Sequence, residues 1–406
     1  MSILVTLYQF SDCMHKLSKS TYMGGLQCLK KLYLNQHHRE LKTLVDEAQQ
    51  FIFDQGSRTG ELAQQVFPGG EDCTPKSFYD FRPSIERTQE LIQSSFSVIY
   101  EAAFLHEGVL AALDVLVLKE DGWHAYEVKS TNSTKSEHIQ DAALQYWVIT
   151  QSGLALESMN LMHFNKEYVK MGQIVPSELF VADNITVKVQ DLQTEIPERI
   201  DKFKSTLLMD EIPDVPIGSH CTKPYTCDFQ NHCWRKIPEY SVLDLTNGRQ
   251  KSWDLFHSGV VGIKDVPEDT KLSRPQSIQV HAEKTGESIV DDAGIRDFLN
   301  QLSYPLYYFD FESIMPGVPA FDRARPYQQI CFQYSLHVQM ERGEEPAHFE
   351  FLGNPEEGVP RIPMLEQMRM ELGTEGSILV YHKSFEDGRL KEMMRDCSGF
   401  DSDIQN

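Results

Sequence analysis

Residues 109–129 read VLAALDVLVLKEDGWHAYEVK, and this stretch decides the fold expected for the first part of the chain. The apolar run Val109–Leu118 is followed by the turn signal Asp121-Gly122, and an extended pattern returns in Trp123–Lys129. Two strand-like runs around an Asp-Gly turn are typical of a β-hairpin. We therefore predict a β-hairpin over these residues.

Three charged side chains stand out in this hairpin. Glu127 and Lys129 are two positions apart, so they share one sheet face at a spacing of roughly 6–7 Å. Asp114 interrupts the first apolar strand, where an unpartnered carboxylate is costly. Two carboxylates can hold Mg²⁺ or Mn²⁺, which activates water for phosphodiester hydrolysis, while the lysine positions that water or stabilises the transition state. The alternative is an ordinary ion pair on an exposed strand.

Composition limits the class of protein. The chain has 406 residues and a formal net charge of −22, with 41% hydrophobic residues. This excludes a disordered chain and favours two or three domains. No run reaches the ~18 apolar residues of a membrane helix, and Met1–Ser20 lacks the pattern of a secretory leader. We expect a cytoplasmic protein without a membrane partner, in which the eight cysteines are reduced.

The acidic balance argues against nucleic acid, because phosphate affinity comes mainly from Lys and Arg. Locally, however, residues 16–42 carry a single acid, Glu40, among six basic side chains. The six are Lys16, Lys19, Lys30, Lys31, Arg39 and Lys42. This basic stretch is one way in which an acidic protein could hold nucleic acid, although the solvated face of a helix explains the charges as well.

Changes in hydrophobic period divide the chain into three regions. They are an α/β domain over residues 14–240, a partly helical connector over 241–302 and a second α/β domain over 303–406. In the last region we predict strands at Tyr304–Glu312, Gln329–Gln339 and Ser377–Tyr381, and helices at Pro363–Leu372 and Gly388–Arg395.

The hairpin motifs resemble the PD-(D/E)XK nuclease superfamily, specifically its RecB-like branch, which has a restriction-endonuclease-like α/β core. The resemblance implies that Glu61, Asp114 and Glu127 are metal ligands and that Lys129 is the catalytic lysine. A helix over His138–Thr150 should then carry the Gln and Tyr of that branch. It offers Gln145 and Tyr146, which are adjacent here rather than four positions apart. The implied ion is Mg²⁺ or Mn²⁺.

Four cysteines form a second motif. Cys221, Cys227 and Cys233 are evenly spaced, and Cys28 lies far upstream. Thiolates select zinc or iron–sulfur clusters over hard cations. Zinc, with His220 or His232 as a substitute ligand, is one interpretation.

One remote cysteine followed by three clustered ones resembles the iron–sulfur RecB-like nucleases, which include CRISPR-associated exonucleases. The resemblance implies a [4Fe-4S] cluster on Cys28, Cys221, Cys227 and Cys233 that clamps the ends of the domain together. The other four cysteines read as core residues, namely Cys13, Cys73, Cys331 and Cys397.

The strand around Tyr307 carries a third motif, because Asp310 and Glu312 share one face of an otherwise apolar run. Together with Glu386, which follows a later strand, they resemble the RNase H-like DEDD exonucleases and are implied metal ligands. Only twenty residues follow Glu386, and Asp401 and Asp403 lie in a polar tail. We therefore expect an incomplete domain without exonuclease activity. Two acids that merely cap a strand are the alternative.

The whole chain resembles a bacterial family that joins an iron–sulfur RecB-like nuclease to an RNase H-like domain of unknown function. We expect a metal-dependent DNA nuclease, acting as an exonuclease on single strands or duplex ends in repair, recombination or defence. The alternative is a non-catalytic nucleic-acid-binding scaffold that keeps the fold and the cluster.

Overall fold

The computed structural model describes residues 17–77 and 79–397, which form a mixed α/β protein with two sheets. Cys13, Met14, Lys16, Asp401 and Asp403 lie outside these residues. The described chain divides into two compact units. Unit 1 holds residues up to 129 with 133–163 and 182–289, and unit 2 holds residues 130–132, 164–181 and 290 onwards.

This division assigns two segments in a way that the sequence did not indicate. Residues 241–289 group with unit 1, and residues 164–181 group with unit 2. The expected boundaries at 240 and 302 therefore stay predictions.

A seven-stranded sheet has the strand order β2-β3-β4-β5-β6-β7, with β1 paired to β4. The pairs β3–β4 and β4–β5 are antiparallel, whereas β5–β6 is parallel. The strands are β1 (Leu17–Ser18), β2 (Glu71–Asp72), β3 (Val98–His106), β4 (Val109–Lys119), β5 (Gly122–Lys129), β6 (Leu156–Phe164) and β7 (Phe180–Asn184).

The predicted hairpin is confirmed as β4 and β5. The ladder closes on the pair Lys119 and Gly122 around a two-residue loop. Gly122 has a φ of +136°, a region that side chains with a Cβ rarely adopt, which explains why the Asp-Gly signal marks this turn.

Among the helices of unit 1, α5 packs against β3 and β4, and α4 packs against β3. Leu113 and Leu116 from the sheet and Leu144 and Ile149 from the helix are fully buried in this core. The helices are α1 (Lys19–Gln27), α2 (Leu29–His37), α3 (Glu47–Gln64), α4 (Arg82–Gln93), α5 (Ser136–Gln151), α7 (Thr186–Gln190), α8 (Ile196–Leu207), α9 (Gln230–Trp234), α10 (Gln250–His257) and α11 (Arg274–Thr285).

Unit 2 contains a four-stranded sheet of order β10-β9-β8-β11. β9 is antiparallel to both neighbours, and β11 is parallel to β8. The elements are α6 (Pro176–Leu179), α12 (Asp292–Asn300), β8 (Leu306–Ile314), β9 (Ile330–Gln339), β10 (Ala347–Leu352), α13 (Arg361–Glu371), β11 (Ser377–Leu379) and α14 (Lys383–Asp396). The three strands and two helices predicted for this region are present, but α14 begins five residues before the predicted Gly388, so Glu386 lies in its first turn rather than in a turn after β11, and β10 was not predicted.

Alternation along β8 sorts its side chains between core and surface. Tyr307, Phe309 and Phe311 are buried and pack with Met364 of α13 and Met393 of α14. The period of two then leaves the polar residues between them on the opposite, exposed face.

Candidate active site

The hairpin register brings the predicted acids together. Val115 pairs with Tyr126, so one further step along the same register sets Asp114 opposite Glu127. The backbone N–H of Val128 donates to Asp114 Oδ2 at 2.5 Å. Asp114 is thereby fixed to the strand that carries Glu127 and Lys129, as the sequence predicted.

Glu127 is the hub of this site. Its side chain is 1% exposed, and both carboxylate oxygens accept hydrogen bonds. Lys129 Nζ and Lys19 Nζ each donate to Oε1 at 2.7 Å, and Gln145 Nε2 donates to Oε2 at 2.7 Å. Two cations and an amide therefore hold one buried carboxylate in a single orientation.

Helix α5 adds a residue that the sequence analysis missed. Lys129 also donates to Asp141 Oδ2, and Asp141 stands four positions before Gln145. Residues at i and i+4 lie on the same face of a helix, so both side chains reach the hairpin. The available signal in the sequence was a pair of polar residues four positions apart on this helix. Asp141 and Gln145 have that spacing, whereas Gln145 and Tyr146 are adjacent.

Lys19 is a second residue that sequence reasoning did not place at the site. It is the first residue of α1, directly after Ser18, whose side chain caps the helix by accepting from the N–H of Thr21. This cap fixes where the helix begins and so directs Lys19 towards Glu127. The sequence showed Lys19 only as part of a basic stretch.

We call Lys19, Asp114, Glu127, Lys129, Asp141 and Gln145 the carboxylate site. Burial favours a raised pKa for Glu127, but Lys129 and Lys19 outweigh it and hold that pKa well below its usual range. Burial and the neighbouring Glu127 raise the pKa of Asp114 well above its usual range. The two lysines thus stabilise the charged form of Glu127, whereas no cation stabilises the charged form of Asp114 to the same extent.

Glu101 on β3 is a further acid beside this site. Burial raises its pKa to about 7, Lys19 lowers it and Glu127 raises it. Its φ of +51° is uncommon for a residue other than glycine and lies within an otherwise extended strand. In the sequence, Glu101 interrupts the apolar run Val98–Leu105. An acid within an apolar run is also the signal that identified Asp114.

Two predicted residues have a different environment. Glu61 is exposed on α3, and across residues 17–77 and 79–397 no hydrogen bond or ion pair joins its carboxylate to the carboxylate site. Tyr146 packs against the core of unit 1, and its hydroxyl accepts a hydrogen bond from Gln190 at 3.0 Å. Their roles in chemistry stay predictions.

The four predicted cysteines line one small cavity of unit 1, together with Lys30, Lys31 and His220. Cys28 forms the junction between α1 and α2, and the other three come from the segment around α9. Cys221 and Cys227 are buried, and all four are free thiols. Burial raises the pKa values of Cys227 and Cys233, and charges on Cys28 and Cys221 add to the rise.

Gln27 fastens the loop that carries these thiols. Its Nε2 donates to the backbone oxygens of His220 at 2.8 Å, Tyr225 at 2.7 Å and Lys223 at 3.3 Å. One side chain at the end of α1 therefore holds a segment almost two hundred positions away. Cys28 comes directly after Gln27, so the same contacts keep Cys28 beside that segment. We call Cys28, Cys221, Cys227 and Cys233 the cysteine site.

The acids predicted for unit 2 fall into two environments. Asp310 and Glu312 share one face of β8, as predicted, and both are exposed. Glu386, in the first turn of α14, is 4% exposed, and its Oε2 has no hydrogen-bond partner among the described residues. Across residues 17–77 and 79–397, no group of three or more His, Cys, Asp or Glu side chains is arranged to hold a metal ion.

Comparison with known proteins covers only the last part of the chain. Residues 307–406 match a family described as "Domain of unknown function (DUF2779)". No curated protein matches the chain. Within the described ranges, no helix has the length and apolar character needed to cross a membrane.

Proposed function

We propose that unit 1 is a metal-dependent nuclease of the PD-(D/E)XK superfamily, in its RecB-like branch, and that it hydrolyses DNA. The observation that carries the proposal is the meeting of Asp114, Glu127 and Lys129 at one end of an antiparallel hairpin, with Asp141 and Gln145 from the next helix. Two carboxylates and a lysine on adjacent strands are a suitable set for phosphodiester hydrolysis.

The charge balance of the site supports a divalent cation. Four acids, Glu101, Asp114, Glu127 and Asp141, surround two lysines, so full ionisation leaves a charge of 2 − 4 = −2. Buried charge without a partner is costly. One divalent cation would cancel this excess and allow Asp114 to ionise. Carboxylate oxygens are also the ligands that Mg²⁺ and Mn²⁺ prefer.

Each residue of the carboxylate site would have its own task. Asp114 and Glu127 would hold the ion. When bound, the ion would act as a Lewis acid and lower the pKa of water, so that hydroxide is available to attack phosphate. Lys129 keeps its ammonium between Glu127 and Asp141, where it can stabilise negative charge on a phosphate. Gln145 fixes the orientation of Glu127 through Oε2. The role of Glu61 as a further ligand rests on the family resemblance alone.

A cleavage assay tests this function. End-labelled single-stranded and duplex DNA is incubated with the full chain and Mg²⁺ or Mn²⁺, beside an Asp114→Asn variant. We expect metal-dependent cleavage by the wild type and a loss of at least about 10²-fold in the variant. A variant that cleaves at the wild-type rate, with an unchanged far-UV spectrum, would contradict the assignment.

The donor chemistry of the cysteine site supports the [4Fe-4S] cluster that the resemblance implies, although the four thiols do not form a metal-holding group as they stand in the described ranges. Four thiols line one cavity, none of them is in a disulfide, and thiolates are the usual ligands of iron–sulfur clusters. Zinc fits the same donor set and remains the alternative. Either group would join α1 to the segment around α9, which would stabilise the folded domain.

Absorbance and metal content separate these two groups. We expect anaerobically purified protein to be brown, and we expect Cys227→Ser to remove the colour. Cys331→Ala is the matched control, because Cys331 is a buried cysteine of unit 2 and should leave the colour intact. Colourless protein with stoichiometric zinc would contradict the cluster.

For unit 2 we propose an RNase H-like domain that does not act as an exonuclease. Asp310 and Glu312 share an exposed strand face, whereas Glu386 is buried on α14. No hydrogen bond or ion pair within the described ranges joins Glu386 to Asp310 or Glu312. The separation of Glu386 from the other two acids supports the proposal that this face lacks the carboxylate set of an exonuclease.

One observation favours the non-catalytic alternative for unit 1. Both oxygens of Glu127 already accept hydrogen bonds from Lys19, Lys129 and Gln145. A carboxylate saturated in this way can simply stabilise the fold of a nucleic-acid-binding scaffold. Such a protein would bind labelled DNA in a gel-shift assay without cleaving it at any Mg²⁺ or Mn²⁺ concentration.

A further inference from the structure

Glu127 Oε1 has two competing cationic partners at the same distance. Lys19 and Lys129 both donate to this one oxygen at 2.7 Å. A metal ion that binds Oε1 of Glu127 therefore competes with both lysines.

The two lysines are held to different extents. Lys129 keeps a second acceptor, Asp141 Oδ2, if it leaves Glu127. Lys19 lies 4.0 Å from that oxygen, beyond hydrogen-bond distance. The Lys19 side chain is also 31% exposed, against 20% for Lys129. Rotation of its side chain alone can carry the Lys19 ammonium into water while Lys129 stays in place.

Two oxygen atoms of the site point independently to a missing ligand. Asp141 Oδ1 and Gln145 Oε1 have no hydrogen-bond partner among the described residues. Asp141 is 6% exposed and Gln145 is fully buried. The other carboxylate oxygen of Asp141 accepts from Lys129, and the amide nitrogen of Gln145 donates to Glu127. The two unpartnered oxygens therefore lie within the carboxylate site. Buried acceptors without a donor are costly, and a hydrated cation would provide partners for them.

We propose that Lys19 is a built-in counter-cation, which holds Glu127 in the metal-free state and yields this carboxylate to a divalent cation. Once displaced, its ammonium stands at the mouth of the site, where it binds a phosphate oxygen of the nucleic-acid substrate. The inference rests on the proposed function, because it takes the carboxylate site as the metal site. Lys19 thus has two roles. It is the counter-cation of Glu127 before the metal binds, and it contacts the phosphate afterwards.

Mn²⁺ binding to the full chain tests the first role without an activity measurement. Electron paramagnetic resonance reports free Mn²⁺ during a titration of the wild type and of Lys19→Met. Removal of the competing charge should tighten Mn²⁺ binding by about tenfold, and Lys19→Gln should do the same. Lys19→Arg should bind Mn²⁺ as the wild type does.

Lys119→Met is the matched control. Lys119 lies on β4 of the same sheet and donates to the hydroxyl of Tyr126, so the variant changes the net charge equally. Its Mn²⁺ affinity should equal that of the wild type. Equal or weaker Mn²⁺ binding by both neutral Lys19 variants would overturn the inference. Absence of Mn²⁺ binding from the wild type and all variants would overturn the proposed function as well.

The second role is tested by the KM for labelled DNA at saturating Mn²⁺. Loss of a phosphate contact in Lys19→Met should raise KM about tenfold, since hydrogen bonds to charged groups are among the stronger ones. A structural role would not tighten Mn²⁺ binding and weaken DNA binding in the same variant. An unchanged KM beside tighter Mn²⁺ binding would overturn this second role and leave the first supported.

Discussion

At the residue scale, the site depends on how charge is shared around Glu127. Its two lysines stabilise the ionised form, and the same burial penalises the ionised forms of Asp114 and Glu101. Acids with opposite shifts of pKa in one pocket are common at functional sites, because chemistry needs charges that the fold alone would not favour. Structural ion-pair networks show similar shifts, so the metal experiments decide between them.

Glu101 gives a pH dependence of stability. Its pKa is about 7 in the folded protein against 4.5 as the ordinary value, so between these pH values the folded state binds more protons than the unfolded state. The free energy of unfolding should therefore fall as pH rises from 4.5 to 7, by up to about 3 kcal/mol from this group. Lys19, Glu127 and Asp72 are the charged groups that act on it.

Urea unfolding from pH 4.5 to 8 in the presence of a chelator measures this effect. Glu101→Gln should be more stable than the wild type near pH 8, with the gap closing towards pH 4.5. The charge of Glu101 also raises the pKa of Asp114, so the gap between the two proteins reports Glu101 together with its effect on Asp114. Parallel stability curves for the two proteins would show that Glu101 has an ordinary pKa.

At the scale of elements, short-range patterns in the sequence were enough to predict the hairpin. The alternation of apolar residues and the Asp-Gly turn identified β4 and β5, and with them Asp114, Glu127 and Lys129. Lys19 could not be assigned in this way, because its contact with Glu127 joins residues 108 positions apart. Asp141 is indicated only by its i, i+4 spacing from Gln145 on α5, and residue type alone does not distinguish this buried acid from the acids on the surface.

Helix α1 connects the two candidate sites of unit 1. Lys19 at its start contacts Glu127, and Gln27 at its end holds the loop of the cysteine site. We expect Gln27→Ala to weaken retention of the metal group by roughly tenfold, as loss of supporting hydrogen bonds does at other metal sites. Iron and zinc content after gel filtration would show this loss.

Gln36→Ala is the control for that measurement, since Gln36 is an exposed glutamine on the neighbouring helix α2. It should retain the metal as the wild type does. Equal metal content in Gln27→Ala and Gln36→Ala would show that the cysteine loop holds its position without Gln27.

At the scale of the whole molecule, the chain carries two sets of acids in two units. The family match lies at residues 307–406, in unit 2, whereas the site with the more complete chemistry lies in unit 1. We expect the double variant Asp310→Ala, Glu312→Ala to cleave DNA within about twofold of the wild-type rate, because exposed acids without further partners contribute little to a metal site. A loss of tenfold or more, with Asp114 and Glu127 unchanged, would show that unit 2 is catalytic.

The stoichiometry and location of Mn²⁺ binding decide whether unit 1 holds the proposed metal site. Electron paramagnetic resonance titration of the full chain compares the wild type with Asp114→Asn, Glu127→Gln and Asp310→Asn. We predict Mn²⁺ binding that either unit 1 variant abolishes and that Asp310→Asn leaves unchanged. Binding that survives both Asp114→Asn and Glu127→Gln, or that Asp310→Asn removes, would contradict this prediction.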